Sequence, residues 1–184
     1  MIIYIHGFAS SGQASKAQAF RDYFKSNNRN FIAPSLPYQP DLAIKTLEEL
    51  IESYQEDIYL IGSSLGGYYS LYLSQLKQVK KVVLINPTVN AAQDLQEAIG
   101  ETTNYYDNSH FSWQQSHVDA LKNHPLDNLN LETILLLSQK GDEVIDYQQA
   151  VDKLKGCPMI IEENGNHSFK NIQSKFQKIN DFFV

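Results

Sequence analysis

Apolar residues follow two patterns that alternate along the chain: short continuous runs, and longer stretches in which they recur every three or four residues. Continuous runs rich in Ile, Val and Leu are typical of strands that helices cover on both faces. They predict six strands, at about residues 2–5, 30–33, 57–61, 81–85, 132–137 and 158–161. In the stretches between these runs, apolar residues spaced three and four apart predict amphipathic helices.

Several predicted helices have specific sequence signals. Ser15 and Gln18 fit a capping box that would begin the first helix, and a second helix is predicted from about Asp41. The last helix has apolar residues at strict spacings of three and four: Phe169, Ile172, Phe176, Ile179 and Phe183. Because strands and helices alternate, we predict an α/β fold: a compact, mostly parallel sheet of about six strands with helices on both faces.

Residues 88–130 interrupt this alternation. The segment contains no convincing strand and is rich in polar and aromatic residues. Since it follows the fourth strand, we expect it at the carboxyl edge of the sheet, where open α/β folds bind their ligands. We interpret it as a small lid insertion within a single domain of residues 1–184, and a purely structural loop is the alternative.

Composition and charge narrow the function classes. The chain has 184 residues, 42% hydrophobic and 20% charged, which is typical of one globular domain. The formal net charge of −6 argues against a nucleic-acid partner, because phosphate binding needs clustered Lys and Arg. Cys157 is the only cysteine, and no apolar run is long enough to span a membrane. We therefore expect a cytoplasmic protein with neither a membrane nor a nucleic-acid partner.

The third predicted strand runs directly into the sequence GSSLG at residues 62–66, which fits G-x-S-x-G. Between a buried strand and an amphipathic helix, this motif is typical of a nucleophile elbow, in which Ser64 is the nucleophile. Ser63 would need a glycine at position 61, which is Ile61. A phosphate-binding turn is the other interpretation, but the segment lacks the lysine of a P-loop and the dinucleotide-binding G-x-G-x-x-G pattern.

A serine hydroxyl needs a base to accept its proton, and His167 is the best candidate. It lies in a polar loop between the sixth strand and the last helix, so it can return to the carboxyl edge of the sheet. The other histidines lie before the nucleophile or in the insertion and its exit: His6, His110, His117 and His124.

The acid that orients the base is expected between Ser64 and His167 in chain order. Asp142 directly follows the fifth strand and is our candidate for this role. Glu143 lies one residue further from the strand end, and Asp146 is better suited to cap the following helix. An ordinary turn aspartate is the alternative interpretation of Asp142.

Two backbone N–H groups are candidates for an oxyanion hole, which stabilises the negative charge of a tetrahedral intermediate. One belongs to Leu65, directly after the nucleophile, and the other to Phe8, in the loop after the first strand. Aromatic side chains near the site are candidates for substrate binding: Tyr68, Tyr105 and Trp113.

Taken together, these motifs resemble the small bacterial esterases of the YqiA/YcfP type, in the α/β-hydrolase superfamily. The matching segments are IHGF at residues 5–8, GSSLGGYY at 62–69, LINP at 84–87, GDEV at 141–144 and GNH at 165–167. The resemblance implies an α/β-hydrolase fold that lacks the first strands of larger members, carboxylesterase-like activity and no cofactor. It also implies a triad of Ser64, Asp142 and His167. The lid region matches least well, which leaves the substrate open.

We therefore expect a serine esterase, or a thioesterase, that cleaves small acyl esters through an acyl-enzyme intermediate without metal or cofactor. Two alternatives remain. The scaffold could serve as a binding protein with an unused triad, or the same triad could act on amides or peptides.

Overall fold

The protein is described from a computed structural model that covers residues 1–184. It contains eight strands: β1 (Ile2–Ile5), β2 (Phe31–Ile32), β3 (Ile58–Ser63), β4 (Val79–Ile85), β5 (Gly100–Thr103), β6 (His110–Trp113), β7 (Ile134–Gln139) and β8 (Met159–Glu162). Six of them form a sheet in the order β2-β1-β3-β4-β7-β8, with every neighbouring pair parallel. The predicted α/β fold and its six-stranded parallel sheet are confirmed.

Seven α-helices accompany the strands: α1 (Ser15–Ser26), α2 (Pro40–Glu52), α3 (Leu65–Leu73), α4 (Ala91–Asp94), α5 (Gln115–Leu121), α6 (Tyr147–Lys153) and α7 (Phe176–Phe182). No helix combines the length and the apolar character that crossing a lipid bilayer would require.

The sheet separates two hydrophobic layers, and the alternation of side chains along β1 explains why. Ile3 and Ile5 pack with α2, α3 and α5 on one face, whereas Ile2 and Tyr4 pack with α1 and α7 on the other. Because β1 is buried on both faces, its four residues are apolar throughout rather than alternating with polar ones.

The parallel register brings the carboxyl ends of the central strands to one edge. Ile5 of β1 lies opposite Gly62 of β3, Ser63 lies opposite Ile85 of β4, and Ile85 lies opposite Leu137 of β7. The loops that follow these strands therefore leave the sheet side by side, and each carries residues of the candidate site.

The insertion at residues 88–130 differs from the prediction, which placed no strand there. It contains α4, α5 and an antiparallel hairpin formed by β5 and β6. The hairpin was missed because its strands are short and largely polar, with residues of β5 alternating between half-buried and exposed. Its tip contacts the loop after β1, where the Tyr105 N–H donates to the Ala9 carbonyl over 2.8 Å.

Two helix predictions are also corrected. The first helix does begin at Ser15, but its N-cap is Ala14 and no side chain caps it, so the predicted capping box is absent. The last helix begins only at Phe176, after a single 3₁₀ turn over Ile172–Lys175. Phe169 and Asn171 have left-handed backbone angles that interrupt the helix, although the predicted apolar residues are all buried.

Candidate active site

Ser64 lies in the sharp turn between β3 and α3, with φ 55° and ψ −122°. A non-glycine residue with these angles is strained, and such strain is typical of nucleophile elbows. A Cβ added to Gly62 would overlap the Gly66 carbonyl, and one added to Gly66 would overlap the Ile5 carbonyl. Close backbone packing on both sides of the turn therefore explains the glycines of the G-x-S-x-G pattern.

Three side chains from different loops form a continuous hydrogen-bonded chain. The His167 Nε2 atom lies 3.1 Å from Ser64 Oγ, and its Nδ1 atom lies 2.9 Å and 3.0 Å from the two carboxylate oxygens of Asp142. Because an ionised carboxylate only accepts hydrogen bonds, Nδ1 carries the proton and Nε2 is free to accept one from the Ser64 hydroxyl. Sequence reasoning selected these three residues, and the structure brings them together.

The Asp142 side chain is 2% exposed, against 23% for His167. Burial of this carboxylate raises its pKa, but hydrogen bonds from His167 and from the N–H groups of Ile145 and Val144 outweigh that effect. The net result is a pKa of Asp142 below its ordinary value. The carboxylate thus stays ionised near neutral pH, where it can orient the imidazole and stabilise an imidazolium.

Two neighbours of Asp142 have other partners. Asp146 caps α6 by accepting from the Gln148 N–H over 2.9 Å, as its position predicted. The Glu143 carboxylate accepts from the backbone N–H of His167 over 3.0 Å and forms no hydrogen bond with the imidazole.

The loop that carries His167 is held by Asn86, which sequence reasoning missed. Its side-chain amide donates to the carbonyls of Asn166 and His167 over 2.9 Å and 3.0 Å, and its oxygen accepts from the Gln139 N–H over 2.9 Å. Asn86 is 3% exposed and has a left-handed φ of 41° at the end of β4. A polar residue before a proline at a strand end was its only signal in the sequence.

Gln139, at the end of β7, supports the same loop. Its side-chain oxygen accepts from the N–H groups of Asn166 and Lys170 over 3.1 Å and 2.8 Å. A Cβ at Gly165 would overlap this side chain, and Gly165 has a φ of 108° that glycine alone adopts easily. Two buried amides and one glycine therefore hold the backbone of the histidine loop.

The loop after β1 runs close to the nucleophile. A Cβ added to Gly7 would lie 2.9 Å from the Ser64 Cβ and 3.4 Å from its Oγ. The Nδ1 atom of His6 lies 2.8 Å from the Gly7 carbonyl oxygen, and its Nε2 atom accepts from the Leu36 N–H over 2.9 Å. Burial lowers the pKa of His6, which favours this neutral tautomer.

The two predicted oxyanion donors, Phe8 and Leu65, line the same cleft as Ser64. His6 holds the carbonyl of the Gly7–Phe8 peptide, so the N–H of the same peptide, on Phe8, points the opposite way. Leu65 is the first residue of α3, where an N–H has no partner within the helix. The helix N-terminus also favours negative charge at this position.

A cleft of about 870 Å³ opens over Ser64 and His167. Tyr105 and Tyr106 line it from the hairpin of the insertion and are 82% and 48% exposed. A smaller cavity of about 190 Å³ shares Gly7, Phe8 and Leu65 with the cleft. The insertion therefore contributes to the wall of the site, which is where a lid would lie.

Two of the predicted substrate-binding residues lie outside both cavities. Trp113 is fully buried, donates to the Leu95 carbonyl over 3.1 Å and packs against Phe8. Tyr68 is 7% exposed, and its hydroxyl lies 2.9 Å and 2.7 Å from the carbonyls of Leu121 and His124. Tyr68 holds the insertion from α3 and Trp113 fills the interior of the insertion, so neither side chain lines the cavities where a substrate could bind, in contrast to what the sequence had suggested. No cluster of His, Cys, Asp and Glu side chains is arranged to hold a metal ion.

Comparison with known proteins identifies the family. A family model described as "Uncharacterised protein family (UPF0227)" matches residues 1–184. The chain belongs to the UPF0227 family. It is 25% identical to the UPF0227 protein of Serratia proteamaculans (strain 568) over 187 residues, covering 99% of this chain and 98% of the relative. A YcfP protein of Salmonella arizonae is also 25% identical over the same shares of both chains, so the YcfP-type resemblance is confirmed.

Solved structures place this UPF0227 protein in the α/β-hydrolase fold. Mouse alpha/beta hydrolase domain-containing protein 10 is 21% identical with a TM-score of 0.78, covering 99% of this chain and 88% of that one. Est1E from Butyrivibrio proteoclasticus is 14% identical with a TM-score of 0.76, covering 99% and 86%. At these identities the likeness shows the fold alone.

Proposed function

We propose that this protein is a serine hydrolase that cleaves small carboxylic esters through an acyl-enzyme intermediate. The observation that carries the proposal is the hydrogen-bonded chain from Ser64 through His167 to Asp142 at the base of an open cleft. A serine hydroxyl in such a chain loses its proton to the imidazole as it attacks a carbonyl carbon.

In the first step, Ser64 Oγ forms a bond to the ester carbonyl carbon while His167 Nε2 accepts the hydroxyl proton. The carbonyl oxygen becomes negatively charged, and the N–H groups of Leu65 and Phe8 stabilise it. The tetrahedral intermediate then collapses, the bond to the alcohol oxygen breaks, and His167 returns its proton to the leaving alcohol. Asp142 stabilises the imidazolium between these two proton transfers.

In the second step, water takes the place of the alcohol. His167 accepts a proton from water as the water oxygen attacks the acyl carbon, and then gives this proton to Ser64 Oγ as the acyl bond breaks. The products are a carboxylic acid and the free enzyme. A thioester would follow the same steps with a thiol as the leaving group.

The surroundings of Ser64 support a small acyl group. The cavity of about 190 Å³ next to the Gly7–Phe8 loop is partly apolar, with walls from Leu36, Tyr38 and Phe111. Among solved structures of the same fold, one is of Est1E with ferulic acid bound and another is a monoacylglycerol lipase from Paleococcus ferrophilus. We propose that the apolar cavity takes a short acyl chain and that the insertion acts as a lid over the cleft.

Hydrolysis of 4-nitrophenyl esters from acetyl to decanoyl tests the proposal. We expect turnover that is highest for the short esters and that falls at least about 10³-fold in Ser64→Ala, in line with triad removal in other hydrolases. Ser26→Ala, an exposed serine at the end of α1, is the matched control and retains activity. Hydrolysis that persists in Ser64→Ala would refute the mechanism, and a preference for decanoyl would refute the short acyl chain.

A further inference from the structure

Lys16 lies in the wall of the cleft beside the candidate nucleophile. It belongs to the first turn of α1, is half-buried, and lines the cleft together with Ser63 and Ser64. Its ammonium nitrogen donates to Ser63 Oγ over 2.8 Å. The Ser63 hydroxyl also contacts Tyr4, so this side chain links the lysine to the buried sheet.

The Lys16 ammonium has no ionic partner. No carboxylate oxygen lies within 4.0 Å of it, and one of its three N–H donors is used by Ser63. Loss of hydration through burial lowers its pKa from 10.5 to about 8, and the nearby Asp142 charge only partly offsets this. Burial of an unpaired cation is unfavourable, so an anion that entered the cleft would gain from pairing with it.

The placement of Lys16 within its helix is also unfavourable. Helix N-termini carry partial positive charge and favour acidic residues, yet the first turn of α1 contains no acidic residue and one lysine. Ala14 and Ser15 line the same cleft, so the N-terminus of this 12-residue helix and the ammonium group add to one positive region.

The acidic residues that line the cleft form no ion pair with Lys16 and have other hydrogen-bond partners. The Asp94 carboxylate accepts from the Thr88 hydroxyl, and the Glu143 carboxylate accepts from the backbone N–H of His167. No other lysine or arginine lines the cleft. The cleft therefore has a single cationic point with unused donors, next to the residue that would carry the acyl group.

We propose that Lys16 is a specificity-determining residue that binds a carboxylate on the substrate, so that the preferred substrates are esters carrying a negative charge. This inference rests on the serine-esterase function proposed above and adds the substrate class. A carboxylate would accept hydrogen bonds from the free N–H donors of Lys16, which neutral esters of the same size cannot match in strength.

Two pairs of esters of matched size test the proposal. In the first pair the charge is on the acyl part, with 4-nitrophenyl hydrogen succinate against 4-nitrophenyl methyl succinate. In the second pair it is on the alcohol part, with 3-carboxyphenyl acetate against its methyl ester. We expect the wild-type protein to prefer the charged ester in at least one pair, and the pair that responds identifies which side of the ester faces Lys16.

The variants separate binding from structure. Lys16→Met should lower the charged-to-neutral ratio of kcat/KM by about 10–100-fold, the scale of a hydrogen bond to a charged group. Lys16→Arg should retain most of the preference because it keeps the charge. Lys25→Met, an exposed lysine on the same helix, is the matched control and should leave the ratio unchanged.

A binding measurement keeps the inference independent of turnover. Succinate should raise the Tm of the wild-type protein and of Lys25→Met, but not that of Lys16→Met. Equal losses on charged and neutral esters in Lys16→Met, or an unchanged ratio and an unchanged succinate shift, would overturn the proposal while leaving the esterase function intact. Absence of Ser64-dependent hydrolysis of every ester would instead refute the proposed function.

Discussion

The two hydrogen bonds from Asn86 to the histidine loop give a sharp test of how the site is held together. Asn86→Asp keeps the size of the side chain, the oxygen that accepts from Gln139 and a residue type that tolerates the left-handed φ of 41°. It removes the amide N–H groups that donate to Asn166 and His167. A carboxyl oxygen then faces two carbonyl oxygens at a position that is 3% exposed.

The expected losses of stability and of rate in Asn86→Asp follow from these contacts. Each carbonyl that loses its donor in a buried site costs about 1–3 kcal/mol, so the two together predict a loss of about 2–6 kcal/mol in the free energy of unfolding. For a domain of this size, this corresponds to a fall in Tm of about 4–24 °C. The released backbone also lets the His167 ring move from Ser64, and a displacement near 1 Å costs about 10²-fold in rate.

Urea unfolding and ester kinetics on the same preparation measure both effects. We expect kcat to fall about 10–100-fold at a temperature where the variant is fully folded. Asn108→Asp makes the same chemical change at an exposed left-handed residue, with φ 60°, in the hairpin turn, and should change neither quantity. Loss of stability with unchanged kcat would refute the positioning role, and no change in either quantity would refute the hydrogen bonds themselves.

Three further predictions concern the Ser64 turn, the acid Asp142 and the half-buried Lys16. Gly66→Ala should abolish folding or cost more than about 3 kcal/mol in urea unfolding, because the new Cβ overlaps the Ile5 carbonyl; a stable, active variant would contradict this. Asp142→Asn should lower kcat by up to about 10⁴-fold while Tm stays measurable, and normal kcat would exclude Asp142 as the acid. The pKa of Lys16 is lowered from 10.5 to about 8, so the folded state loses this proton before the unfolded state does. The free energy of unfolding should therefore rise between about pH 8 and 10.5 relative to Lys16→Met, and parallel pH curves would refute this.

The comparison of the wild-type protein with Lys16→Met measures the titration of Lys16 itself, because the neighbouring charged and titratable groups are present in both proteins. These groups face the same cleft or act on the lysine: Tyr4, Asp94, Tyr105, Tyr106, Asp142, Glu143 and His167.

The parallel sheet and the elbow were predictable because their signals are local. A strand buried on both faces needs a continuous apolar run, and a strained turn with backbone packed against it needs glycines at fixed positions. The carboxyl ends of parallel strands meet at one edge, so chain order together with the positions of the predicted strand ends was enough to select Asp142 and His167.

The parts that sequence reasoning missed depend on contacts between distant segments. Asn86 and Gln139 act on a loop that lies 27 to 81 residues away along the chain, and no local pattern encodes such contacts. Lys16 follows the predicted start of a helix and has an ordinary sequence setting, because its contact with Ser63, 47 residues away along the chain, forms only in the folded protein. Trp113 was misassigned because an aromatic residue in an insertion has the same sequence pattern whether it lines a cleft or fills a core.

Activation of the Ser64 hydroxyl by His167 is the central feature of the proposed mechanism, and covalent labelling tests it directly. A fluorophosphonate probe should add one adduct to the wild-type protein, with peptide mass spectrometry locating it on Ser64. Labelling should be lost in Ser64→Ala, fall strongly in His167→Ala and persist in Ser63→Ala. An adduct that remains on Ser64→Ala, or a wild-type protein that takes up no probe, would contradict the central claim.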